Sequence, residues 1–456
     1  MLKEVNYIIY SVKLSINSMN RKKRKSLFYI IFICAAFIIS CSSSPSETDS
    51  DYETKYEAAT EKPQSDSENT VSEPFINEPE ESDVGNISDE LISEEEQEVR
   101  SEMEIYEENA ENILAEMSLT EKVYQMFIIT PEQLTGVETV TTAGNTTKDS
   151  LQKYPVGGLI YFAPNLINNN QTSEMLEKSQ EFALEIEGLP LFLCVDEEGG
   201  RVARVANIPA FGLEKIKPMK EVESTEEAYE IGHAIGGYLS ELGFNVDFAP
   251  DADVLTNPEN TVIGDRSFGD NPEVVAYYAT AYSDGLHSCG VLSTFKHFPG
   301  HGASAGDTHQ GFAYTGKTLE ELIQNELVPF MAAQDENVDM VMVAHIAVPE
   351  ILGDDTPCTL SQHMVTGVLR EKLGYEGLVI TDAMNMGAIT NAFDNNQAVV
   401  EAIKAGSDLI LMPVDFQAAA NAVASAVESG EISIDSIDKS VKKIIAKKLW
   451  LMKENS

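Results

Sequence analysis

The stretch Lys296-His297-Phe298-Pro299-Gly300-His301-Gly302, followed closely by Asp307-Thr308-His309, gathers the side chains of this sequence best suited to moving protons. A carboxylate two residues from an imidazole can fix its tautomer, stabilise its charged form and keep its proton exchange near neutral pH. An isolated Asp-x-His means little, because such pairs are common in solvated turns. Here an apolar run at 291–295 delivers Lys296 and His297 to its end, and a glycine-rich turn follows. The spacing predicts a proton-transfer dyad, Asp307 with His309, on a mobile loop.

A dyad of this kind needs a frame. Apolar runs bounded by turn signals fall at 123–130, 157–162, 190–196, 245–250, 291–297, 340–346, 377–382 and 408–413, and each reads as a strand. Helix-like segments lie between them, including 173–187, 228–242, 272–288, 319–337 and 362–373, after a first one at 106–116. Eight near-continuous apolar strands alternating with amphipathic helices imply an α/β fold with parallel strands buried on both faces. The count favours a single (β/α)8 TIM-type barrel over a doubly wound sheet. Asp196, Asp247, Lys296 with His297, His345 and Asp382 fall at or near the C-terminal ends of different runs, where a barrel opens its mouth.

Asp382 closes the β-branched run Leu-Val-Ile-Thr. A carboxylate there is costly unless it is hydrogen-bonded or used, and by itself it reads equally well as a helix N-cap.

Composition sets the surroundings. The 456 residues carry a formal charge of -44, but 42–108 alone holds 23 acidic residues against three basic ones among Ser, Thr, Asn and Pro. That segment is expected to be a disordered linker, 42–105, with a root-mean-square span of about 45 Å. Nucleic acid is a poor partner for such a chain. Upstream, Arg21 to Lys25 precede an apolar run at 27–39 that is short for a membrane span and ends Ile38-Ile39-Ser40-Cys41. Residues 1–41 therefore read as a signal segment whose end resembles a bacterial lipobox, Cys41 being the lipidated residue, with a non-cleaved membrane anchor as the alternative and either Met1 or Met19 as the start. This implies an exported protein, lipid-anchored on the outer face of a bacterial cytoplasmic membrane within the cell wall. Of the remaining cysteines, Cys194, Cys289 and Cys358 have no metal-type spacing, and no disulfide framework is expected.

The domain at 106–456 resembles glycoside hydrolase family 3, in its β-N-acetylglucosaminidase branch. The matching marks run from Met117-Ser-Leu-Thr-Glu-Lys-Val123 through Gly157-Gly-Leu-Ile-Tyr-Phe162 to Val195-Asp-Glu-Glu-Gly-Gly-Arg-Val202. They continue with Asp247-Phe-Ala-Pro-Asp-Ala-Asp253, Ile263-Gly-Asp-Arg-Ser-Phe-Gly269, the 296–302 block with Asp307 and His309, and the run ending at Asp382.

The resemblance implies a retaining exo-glycosidase in which Asp382 attacks the anomeric carbon and His309, oriented by Asp307, serves as acid and then base. It implies that Asp196, Arg204, Arg266, Lys296 and His297 hold the sugar, with His345 either facing the substrate or bracing the frame. It also implies terminal β-linked GlcNAc as substrate, from peptidoglycan-derived or other amino-sugar glycans. A β-N-acetylglucosaminide phosphorylase or a β-glucosidase of the same family is the alternative, since an imidazole base does not repel phosphate. Because the chain stops soon after the segment 434–451, the proton donor is expected from the barrel itself. No cofactor or metal is required, and a monomer is expected.

Other classes fit less well. A metal-dependent hydrolase would draw ligands from several strands, including a His-x-His on an early one, which is missing. A calcium loop at Asp251 to Asp253 fails because Leu255 occupies the fifth position and no glycine follows. A non-catalytic carbohydrate-binding lipoprotein would be expected to have lost Asp382 or the dyad, and a transporter-associated binding protein would have two linked lobes.

Overall fold

The computed structural model describes residues 102–308, 311, 313–335 and 338–454, all within a unit spanning Glu94–Ser456. The expected signal segment with Cys41, the acidic linker up to residue 101, and His309 lie outside the described residues. The last residues assigned to the linker are helical, since a helix runs over Glu102–Glu116. Among the described residues no helix is long and apolar enough to cross a membrane.

Among the described residues twelve strands follow in chain order: β1 Phe127–Ile129, β2 Gly158–Ile160, β3 Phe192–Val195, β4 Glu197–Gly199, β5 Val202–Ala203 and β6 Val246–Asp247, then β7 Thr294–Phe298, β8 Ala313–Tyr314, β9 Met340–Val343, β10 Ile346–Ala347, β11 Leu378–Thr381 and β12 Ile410–Leu411. Two parallel sheets carry the fold, in the orders β12-β1-β2-β3-β6 and β11-β9-β7. At one seam Asp247 N donates to Leu292 O at 2.9 Å, and at the other Thr381 N donates to Leu409 O at 3.1 Å. Parallel bridges Val246–Leu292, Asp251–Lys296 and Ile380–Leu409 lie along these seams. Each of the eight expected runs overlaps one of these parallel strands, β7 running one residue past its expected end, and β1, β2, β3, β7, β9 and β11 are buried along their whole length. Burial on both faces is why alternation is absent from the sequence there.

Two expectations need correction. The run at 123–130 is strand only over Phe127–Ile129, because Leu119–Gln125 is a helix started by a capping box in which Ser118 and Glu121 satisfy each other's main-chain N–H. The single helix expected at 319–337 is two, Leu319–Gln324 and Val328–Asp335. Pro329 has no N–H to give to Asn325, so the first helix cannot run through it. The break holds Glu326.

At the end of the strands away from their C-termini, helix Ile434–Glu454 buries Lys448, which donates to Gln125 Oε1 at 2.7 Å and sits 5.3 Å from the centre of the Phe192 ring. Burial pushes its pKa down to about 7, against the pull of Glu187.

Candidate active site

Strands that end together deliver their terminal residues to one place. A cavity of about 310 Å³ is lined by Asp196 and Glu198 after β3, Arg204 after β5, Arg266, Lys296 and His297 on β7, and Asp382 after β11. Apolar side chains complete the lining, among them Ile160, Phe162, Met386, Leu411 and Met412. Six of the residues expected from sequence therefore share one cavity: Asp196, Arg204, Arg266, Lys296, His297 and Asp382.

Adjacent residues of a strand normally face opposite sides, yet Lys296 and His297 both line the cavity. The ladder explains this. Lys296 lies opposite Met342 and Phe298 opposite Val343, so His297 is an extra residue in β7. Such a bulge re-aims a side chain.

The charges are paired in a chain. Lys296 Nζ lies 2.8 Å from Asp196 Oδ1 and 2.6 Å from Glu198 Oε1. Arg266 grips Glu198 with two bonds of 2.7 Å, the parallel geometry a guanidinium offers a carboxylate. Burial works against the Glu198 anion, but Arg266 and Lys296 outweigh it and hold its carboxyl well below the usual carboxylate range. Burial likewise opposes the Lys296 ammonium, and Asp196 and Glu198 more than restore it. Arg204 is held more loosely, with Nη2 4.0 Å from Asp196 Oδ2 and its guanidinium 6.0 Å from the Phe162 ring.

His297 is different. Burial, with the Arg266 charge adding to it, pushes its pKa down to about 4, so the ring is neutral at pH 7. Arg266 Nη2 approaches its Nε2 at 3.4 Å and Asp253 Oδ2 lies 2.7 Å from its Nδ1. A guanidinium can only donate, which places the proton of the neutral ring on Nδ1. Asp251, Asp253 and His297 bring ligand atoms within 4.8 Å of one another, all buried. Arg266 Nη2 already stands 3.4 Å from Asp251 Oδ2, so a fixed guanidinium supplies positive charge where a cation would compete for it.

Asp382 follows β11 with its N–H donated to Val343 O at 2.9 Å and its Oδ1 accepting from Ala383 N at 2.7 Å. His345, expected as either a substrate contact or a brace, is fully buried and does not line the cavity. Its Nδ1 lies 2.8 Å from Thr359 Oγ1 and its Nε2 3.1 Å from Ala383 O. Of the two expected roles this geometry fits the brace: the imidazole holds the main chain one residue beyond Asp382.

Asp307 also departs from expectation. It lines a separate open cavity of about 620 Å³ with Asn257, Asn260, Ser304 and Gly311, not the one that holds Asp382. The reason is local: Ala305 and Tyr314 exchange main-chain bonds of 3.0 and 3.1 Å, closing a hairpin whose early residues lie beside the 257–262 loop. The hairpin does touch the other cavity's frame, because Ala388 N donates to Thr308 O at 3.1 Å.

Glu198, Asp251 and Asp253 were missed by residue-level reasoning. The signal was charge balance: burying Arg266 and Lys296 demands carboxylates, and these three stand inside the motifs quoted above.

Residues 118–446 match the family described as glycosyl hydrolase family 3, N-terminal domain. Beta-hexosaminidase A of Pseudoalteromonas piscicida is 33% identical over 329 residues, 67% of this chain and 55% of that protein. Beta-hexosaminidase LpqI of Mycobacterium tuberculosis is 35% identical over 268 residues, 57% of this chain and 68% of that protein. Among solved structures, a family 3 beta-N-acetylglucosaminidase from Paenibacillus sp. str. FPU-7 superposes with a TM-score of 0.69 at 36% identity, covering 74% of this chain and 63% of its own. The chain thus spans little more than half of the first relative and under two thirds of this structure. The family match takes in all twelve strands and every cavity residue named above, so the chain belongs to glycosyl hydrolase family 3.

Proposed function

We propose that this chain is a retaining exo-β-N-acetylglucosaminidase whose eight parallel strands form one closed (β/α)8 barrel around the sugar site. The seam bonds at Leu292 and Leu409 support closure. The observation that carries the function is a single cavity in which Asp382 faces a paired set of sugar-binding donors and acceptors. Asp196, Lys296 and Arg204 suit the vicinal hydroxyls of a terminal sugar, and Asp382 attacks its anomeric carbon to form a glycosyl-enzyme. Neutral His297, held by Asp253 and Arg266, lines the cavity without adding charge beside the nucleophile.

His309, oriented by Asp307, donates the proton to the leaving oxygen and then takes one from water. With Asp307 beside a neighbouring cavity, this step requires the hairpin to swing over the bound sugar. The preference for 2-acetamido sugars draws on the relatives, two of them beta-hexosaminidases. Export with a lipid at Cys41, and peptidoglycan fragments as substrate, belong to the same proposal and rest on the sequence.

The test is turnover of 4-nitrophenyl β-GlcNAc and β-glucoside, each with and without phosphate. Faster release from the GlcNAc substrate, indifferent to phosphate, is expected. Preference for the glucoside overturns the amino-sugar assignment, and dependence on phosphate replaces hydrolysis by phosphorolysis.

A further inference from the structure

The break between helices Leu319–Gln324 and Val328–Asp335 leaves Glu326 with no exposed surface, and it is not among the residues lining the Asp382 cavity. Its Oε1 accepts from Thr256 Oγ1 at 2.6 Å and pairs with Lys317 Nζ, which itself donates to Thr256 Oγ1 at 3.1 Å. Lys317 stands three residues past Tyr314, at the exit of the hairpin. Asn257, next to Thr256, holds the entry: its N–H donates to Gly302 O and its Nδ2 to Ser304 O, both at 3.0 Å. The turn leading to the hairpin rests on the same side chain. Gly300 has φ +124, and a Cβ there would come within 2.5 Å of Glu326 Cβ.

We propose that Glu326 is a positioning residue for proton transfer, its buried carboxylate linking the exit of the hairpin to its entry through Lys317, Thr256 and Asn257. This rests on the reading that the hairpin supplies the acid and base. A buried carboxylate whose Oε2 has no hydrogen-bond partner is expensive to keep. Stability alone would be served as well by an apolar side chain of similar volume, whereas a loop that must bring an imidazole to a leaving oxygen needs both ends fixed. A displacement of about 1 Å at such a group costs on the order of 100-fold in rate. The sugar-holding residues have their own partners, so binding of the sugar is left intact.

The test compares wild type, Glu326→Gln, Lys317→Met and His309→Ala on 2,4-dinitrophenyl β-GlcNAc, whose leaving group needs no proton, and on N,N′-diacetylchitobiose, whose leaving group does. Glu326→Gln is expected to lower kcat/KM, which reports the first step, about tenfold or more on the disaccharide and less than about threefold on the aryl substrate. Lys317→Met removes a partly exposed partner, so it retains the fold and should show the same split. Equal losses on both substrates, or wild-type rates on both, in these two variants overturn the proposal. If His309→Ala splits the substrates while the other two do not, only the role of Glu326 falls. If His309→Ala fails to split them, the acid/base reading falls and takes this one with it.

Discussion

The charged floor of the Asp382 cavity and the hairpin that bonds to Ala388 are built on opposite plans. On the floor, Lys296, Glu198 and Arg266 each meet an opposite charge within 2.8 Å and are buried or nearly so. The hairpin is rooted by main-chain bonds, Ala305 with Tyr314 and Thr315 N with Ala347 O at 3.1 Å, and its Asp307 lies beside a different cavity. The difference separates two demands on a glycosidase. Recognition of a rigid sugar ring profits from groups set in place beforehand, because their desolvation has already been met by one another. Proton transfer to a leaving group must let that group enter and depart, so its carrier cannot be locked to the floor.

The strongest challenge to this division is at Asp382, which belongs to the fixed half. Asp382→Ala should abolish turnover of activated and unactivated substrates alike, by on the order of 10⁴-fold. A substrate-dependent residue of activity, measured by steady-state kinetics on both, would move the nucleophile elsewhere.

A smaller effect is expected from Glu198→Gln, which leaves Lys296 and Arg266 with a neutral partner. Its kcat/KM should fall about 100-fold, chiefly through KM. Because the folded carboxyl titrates below its unfolded value, Glu198 stabilises the fold above about pH 4.5 and loses that contribution as pH falls through its lowered pKa. The variant should therefore show a lower melting temperature at pH 7 and a flatter acid limb. An unchanged acid limb would show that the floor does not depend on this pairing.

The smallest effect lies at the far end of the strands, where Lys448 is a buried amine joined to a neutral amide. Its folded pKa, about 7, lies below that of the unfolded side chain. Between about pH 7 and 10.5 the unfolded chain holds a proton that the folded one does not, so stability rises with pH across that window, by at most about 1.4 kcal/mol per unit. Lys448→Met should remove that rise in urea midpoints taken at pH 7.5 and 9.5. The same slope in the variant would mean that Lys448 remains charged when buried, as Lys296 does beside its two carboxylates.

Much of the frame was legible, because parallel strands buried on both faces leave continuous apolar runs, as at Met340–Val343 and Leu378–Thr381. Strand ends were harder. The run at 123–130 concealed the end of a helix, although Ser118 and Glu121 spelled out its capping box. Likewise, Pro329 marked the helix break that seats Glu326. In the site, the residues at strand ends announced themselves, whereas the carboxylates that hold them did not. Pairing joins residues far apart in sequence, such as Arg266 with Glu198, and only coordinates show which partner was chosen. His345 illustrates the converse, since a histidine at a strand end reads the same whether it meets substrate or a carbonyl oxygen.

Because Ala305 and Tyr314 are hydrogen-bonded neighbours, the segment between them begins and finishes at almost one point. Extra residues could be added on either side of Asp307 and His309, short of Ala313, without altering the strands or the paired charges. The acceptor range of such an enzyme would then be open to change by lengthening a single loop, while its choice of terminal sugar stayed as it is.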